Sequence, residues 1–196
     1  MKKKVTWLGL SLLMVVAMLL ASCGTSNKTS TPTGATSTTA AGVVLTVTNG
    51  STIKTYSLAD LQALTPVTGS GGTVLTGLSS YQGVALTDLL NAVGGITEGK
   101  SVTITGIHHY TKTLTYDQIT NVSFNFYDTN GNTVTPTTKP VITVIYSANG
   151  VPLVNGATPM GIAGPTELGI ISTQNLTSDA SMWMQSLVQI DIISTP

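Results

Sequence analysis

The sequence predicts a single α+β domain with mixed or antiparallel β-sheets and two or three short helices. Three observations lead there. Segments rich in β-branched residues alternate apolar with polar side chains, the period of a half-buried strand. Asn49-Gly50, Asn130-Gly131 and Asn149-Gly150 supply tight-turn signals between such segments. The helical patterns fall among about seven strands without the regular βα alternation that builds a parallel sheet. No internal repeat is present.

The elements follow in order. Val43-Val44-Leu45-Thr46-Val47-Thr48 reads as a strand, Asn49-Gly50 as its hairpin turn and Ser51 to Tyr56 as the return. Ser57-Leu58-Ala59-Asp60 has the form of a capping box, and Leu58, Leu61 and Leu64 give the following helix one apolar face. A polar, Gly-rich stretch runs from Thr68 to Ser80, with Gly69-Ser70-Gly71-Gly72 read as a flexible bend that could line a pocket. Leu86, Leu89, Leu90 and Val93 then recur at helical spacing, and Gly94-Gly95 stops the helix.

Ser101 to Thr105 is a strand by alternation. Leu114 to Ile119 admits two readings: Thr115 with Gln118 caps a helical turn, while Leu114 and Tyr116 extend a strand. Val122, Phe124 and Phe126 alternate with Ser123 and Asn125, as in a half-buried strand. Val141 to Tyr146 is a continuous apolar run, expected of a central buried strand. In the last segment Val188, Ile190 and Ile192 are expected to face inward, and Gln189 and Asp191 outward. Asp60, Asp88 and Asp117 fall at helix starts, where a carboxylate meets the positive end of the dipole.

The N-terminal residues are a different polymer. Lys2, Lys3 and Lys4 precede an apolar run from Val5 to Leu20, and small residues then lead into Cys23. That order marks residues 1–22 as a secretory signal. Leu20-Ala21-Ser22-Cys23 resembles the bacterial lipobox, which implies cleavage before Cys23 and lipid on its thiol. Cys23 is the single cysteine of the chain. A lone cysteine in a secreted protein calls for such a role, and a diacylglyceryl group has the two chains that stable anchoring needs. Residues 23–42 are mostly Ser, Thr, Ala and Gly, a flexible tether with nothing to bury. Residues 43–196 suffice for one domain with a core of its own.

Charged residues make up only 8% of the chain, and arginine is absent. Beyond the signal, five lysines face eight acids, so no basic stripe exists and nucleic acid is not an expected partner. The expected partners are the membrane, through the lipid, and a small molecule or an envelope protein.

The order of the pieces resembles a known family. It comprises the strand–turn–strand–helix ending Ala59-Asp60-Leu61-Gln62-Ala63-Leu64; Tyr81-Gln82-Gly83-Val84-Ala85-Leu86-Thr87-Asp88-Leu89-Leu90; Ser101 to Ile104 with Tyr110; Asn149-Gly150-Val151-Pro152-Leu153; Gly161 to Pro165; and Trp183 ahead of Val188 to Ile192. Together, over nearly all of residues 43–196, they look like the sulfite-oxidase-type molybdopterin-binding domain in its short form. The resemblance implies molybdopterin as cofactor. It also implies a molybdenum-ligating cysteine about a dozen residues before the glycine matched by Gly83, a soft ligand that Thr or Gly does not replace. Here Gly69 to Leu78 contains no cysteine. The cofactor's phosphate would also lack the bidentate partner that arginine provides. The expectation is therefore a retained fold without the redox chemistry and without bound cofactor.

Gly71, Gly72, His108, His109 and Tyr110 are the candidate pocket residues, since the histidine pair stands where the family has an acidic-Gly-Tyr sequence. Adjacent residues on a strand diverge, so the two histidines are poorly placed to share one metal. No metal site and no catalytic residue is assigned. No Gly-x-Ser-x-Gly elbow occurs. Trp183, between Met182 and Met184, reads as core or as an anchor for a partner. The leading functional expectation is a membrane-tethered, extracytoplasmic, non-catalytic binding or accessory module. A molybdopterin-dependent oxidoreductase and a structural or adhesive surface protein are the alternatives.

Overall fold

The computed structural model describes residues 42–107, 109–153 and 166–194. The signal sequence, Cys23, the tether up to residue 41, His108 and Gly161 to Pro165 lie outside them. The described residues fall within one compact unit.

Strands β1 (Val43–Asn49) and β2 (Thr52–Ser57) form the first hairpin. Asn49 pairs with Thr52, so the turn residues are Gly50 and Ser51, one step later than the Asn-Gly signal suggests. Gly50 carries the positive φ of +59°. Asn49 has other work: its amide donates to the Val93 carbonyl at 3.1 Å and its oxygen accepts from Lys100 at 3.3 Å. Helix α1 (Leu58–Ala63) opens on the expected capping box, Ser57 accepting from the Asp60 amide while Asp60 accepts from that of Ser57.

β3 (Val67–Thr73) and β4 (Gly77–Ala85) form a long hairpin over the stretch read as a bend. The Gly-rich segment is a strand. Its low strand propensity is overridden by close approaches that only glycine permits, described below. Helix α2 (Leu86–Asn91) buries Leu86, Leu89 and Leu90 completely. Gly94 and Gly95 take φ of +103° and +77°, and Gly95 donates to the Leu90 carbonyl at 2.9 Å, a six-to-one closure that ends the helix.

β5 (Lys100–Gly106) pairs with β6 (Thr111–Thr115), and helix α3 (Tyr116–Asn121) starts directly after. The helical reading holds, since Thr115 with Gln118 forms a second capping box; of the strand reading only Leu114, buried on β6, remains, because Tyr116 opens α3. The strand expected from Val122 to Phe126 shrinks to β7 (Phe126–Tyr127). Val122 is the C-cap of α3 in the left-handed region, φ +53°, which breaks the extended run, although Val122 and Phe126 are still buried. β8 (Thr133–Val134) returns after a turn in which Asp128 accepts from the amides of Asn130 and Asn132.

β9 (Val141–Ala148) is buried at every position from Ile142 to Ser147, as its continuous apolar run predicts. Asn149 and Gly150, both at positive φ, join it to β10 (Val151–Pro152), the type I′ arrangement. β11 (Glu167–Ile171), β12 (Thr177–Ser178), a 3₁₀ turn (Ala180–Met182), β13 (Met184–Gln185) and β14 (Leu187–Ser194) complete the described chain. In β14 Ile190 and Ile192 are buried, while Val188, beside a register shift between Leu187 and Gln189, is only half-buried.

The strands form two sheets. The five-stranded one has the order β2-β1-β14-β5-β6. The nine-stranded one runs β13-β11-β9-β4-β3-β12-β7-β8, with β10 on β9. Among the described residues the parallel pairs are β1 with β14 and β3 with β12, so the sheets are mixed and mainly antiparallel, as expected. One buried cluster joins both sheets and all three helices, through Leu45 and Ile104 from one sheet, Val144 and Leu168 from the other, and Leu61, Leu89 and Ile119 from the helices.

Candidate functional site

The second sheet curls until β11 meets β3. Ser70 and Ser172 exchange backbone hydrogen bonds of 2.9 and 2.8 Å, closing β3, β4, β9 and β11 into a ring. The glycines make this approach feasible. A methyl group on Gly69 would lie 2.7 Å from the Ser172 carbonyl oxygen, and one on Gly71 would lie 2.4 Å from that of Ile170. Gly72 is pressed against the Gly77 carbonyl across the hairpin and has φ +149°.

Trp183 lies across this closure. Methyl groups on Gly169 and Gly71 would stand 2.5 and 3.0 Å from its ring, so the two glycines form a bed for the indole. The ring nitrogen donates to Ser178 Oγ at 3.0 Å, and Tyr81 packs against the ring at 5.2 Å between centroids. The orientation of the indole is thus fixed from several sides. Trp183 neither disappears into the core nor stands free as an anchor: it is half-buried.

The same indole forms one wall of a cleft of about 520 Å³, a volume typical of small-molecule sites. Ile107 and Tyr110 of the β5–β6 connection, Lys112 of β6 and Met184 of β13 line it with Trp183. Among the described residues Tyr110, 77% exposed, is the one pocket candidate from sequence that lines the cleft. Gly71 lies behind the indole and Gly72 at the far end of the hairpin. His109 is exposed at φ +60°, its amide donating to the Gly106 carbonyl at 3.0 Å, and it does not line the cleft. His108 lies outside the described residues.

Lys112 and the Trp183 wall escaped sequence reasoning. The Trp183 signal is dispersed: a tryptophan, and two glycines far apart in the chain that meet only when β3 and β11 do. Lys112 Nζ donates to the Ser181 carbonyl. Burial lowers its pKa, and the nearby Asp179 carboxylate pulls it partly back. Asp179 itself accepts from Tyr127 Oη at 3.1 Å and Asn125 Nδ2 at 3.2 Å.

Among the described residues no group of three or more His, Cys, Asp or Glu is placed to hold a metal ion. Among the described residues the β3–β4 hairpin carries no cysteine, and Gly71 on it is covered by the protein's own indole, so these residues offer a molybdopterin neither thiolate nor arginine. Lys112 is the lysine that lines the cleft.

Glu167, opposite Gln185 on β11, is pushed above its ordinary pKa of 4.5 by burial. A raised acid binds more protons folded than unfolded, so its stabilising share is complete below pH 4.5 and is lost as pH rises through the folded value. Glu167→Gln should therefore raise the melting temperature at pH 7 and leave it nearly unchanged at pH 4. An equal shift at both pH values would show that ionisation of Glu167 is not the cause.

No protein-family model matches this chain, and no curated protein matches it either. Among solved structures, the sulfane dehydrogenase SoxCD from Paracoccus pantotrophus is similar at a TM-score of 0.46 and 16% identity, over 76% of this chain and 37% of that one.

Proposed function

We propose that this chain is a binding module held outside the cytoplasm by lipid on Cys23, with a sulfite-oxidase-like α+β scaffold from which the redox chemistry is missing. The observation that carries the reading is the Trp183 cleft. A glycine bed holds an indole where it walls a cavity of ligand size, and a purely structural surface protein has no need of one. The chain also lacks what the family's chemistry requires. It has no cysteine beyond Cys23 and no arginine, so neither a thiolate ligand nor a bidentate phosphate clamp is at hand. The charged, apolar and small-residue order of residues 1–23 supports export and lipid attachment.

Two measurements on the full chain test this, made in a bacterial host with an intact molybdenum-cofactor pathway. Elemental analysis of the purified protein should find no stoichiometric molybdenum. About one molybdenum per chain would overturn the non-catalytic reading and restore an oxidoreductase. Cys23→Ala should move the protein from the membrane fraction to the soluble fraction or leave it as an uncleaved precursor. Unchanged processing and membrane retention would overturn the lipid anchor.

A further inference from the structure

Resting on the reading of this chain as a binding module, we propose that the cleft takes a flat aromatic carboxylate, its rings laid against Trp183 and its anionic group on Lys112. The wall is preorganised. With Gly71 and Gly169 beneath it, Ser178 on its nitrogen and Tyr81 at its side, the indole has no freedom to lose when a ring stacks on it. Around it, Ile107 and Tyr110 keep large apolar surfaces exposed, which a flat apolar body would cover.

One cation stands in this largely apolar lining, with the Asp179 carboxylate near it outside the cleft. Among the described residues Lys112 is the one cation lining the cleft, and one of its ammonium's three donors goes to the Ser181 carbonyl. An incoming carboxylate gains a charge-assisted hydrogen bond at a partly buried ammonium, where it is stronger than in open water. A cationic ligand meets repulsion there. The volume of about 520 Å³ has room for one or two fused rings with an acid substituent.

The chain carries two tryptophans, Trp7 and Trp183. With Trp7→Phe, which removes the second indole whether or not the signal is cleaved, fluorescence of the protein in detergent reports on Trp183 alone. Titration with 2-naphthoate should give a saturable change. Adding Lys112→Met should weaken 2-naphthoate by about tenfold to a hundredfold, while weak binding of the neutral 2-naphthalenemethanol stays unchanged. A loss of both probes together in Lys112→Met, with an unaltered melting temperature, would overturn the role of the charge. Equal or tighter binding of the alcohol or of 2-naphthylmethylamine than of the acid would overturn the ligand class and leave the binding module standing. No response to any of the three probes would likewise end the aromatic proposal. The module reading falls separately, on stoichiometric molybdenum.

Discussion

Leu89→Ala should destabilise the domain by about 3 kcal/mol, within the range of about 2–5 kcal/mol for leucine truncations in cores. Leu89 has no solvent exposure and sits on α2 between Leu86 and Leu90, equally enclosed. The helix packs on β4 and β9, the middle of the larger sheet. Six residues of helix make no stable structure alone, so α2 exists because its leucines are buried. The sheet beneath is held by long-range pairing and cannot collapse into the space left by the truncated side chain. For a domain of this size the melting temperature should fall by roughly 6–12 °C. Urea unfolding with an unchanged slope would confirm a simple loss of stability. A cost below about 1 kcal/mol would mean that the site relaxes, and that α2 is more loosely packed than its burial indicates.

Gly83→Ala should be of similar size for the opposite reason. A methyl group there would lie 2.3 Å from the Val144 carbonyl oxygen and 2.8 Å from Ile145 Cα, both backbone atoms of β9. Neither can yield without disturbing a strand paired on both sides. Overpacking a core by one carbon costs about 1–3 kcal/mol and more where backbone must move, so about 3 kcal/mol is expected. Gly83 does not have positive φ, so its need is for space. If conformational freedom were all that mattered, alanine would stabilise by about 0.4–1 kcal/mol through the unfolded chain. The sign of the change, read by calorimetry, separates the two explanations.

The parts legible in the sequence are those with local causes. Ser57 with Asp60 and Thr115 with Gln118 announce their helices because a capping box spans four residues and needs nothing else. The leucines of α2 and the glycines after it are legible for the same reason, and so is the buried run of β9. The β3 strand is not. Gly69, Gly71 and Gly72 look like a bend because glycine weakens strands, and the reason for the first two, β11 and the residue after it passing within van der Waals reach, lies far along the chain, while Gly72 is pressed against Gly77 of the facing strand. The strand expected after α3 fails on a single backbone angle at Val122. In the site, Tyr110 stands out as an aromatic beside the only two histidines. Lys112 looks like any lysine on an alternating strand until burial sets it apart.

The placement of β14 between β1 and β5 has a consequence for how the molecule is born. Without β14, the β1–β2 and β5–β6 hairpins share no hydrogen-bonded edge, and the parallel partner of Thr46 to Asn49 does not exist. A chain emerging amino end first from a ribosome therefore offers two unjoined hairpins until Leu187 to Ser194 arrives. The smaller sheet becomes one sheet only when β14 pairs with both, and the long sequence separation between β1 and β14 makes that the slow step of its assembly.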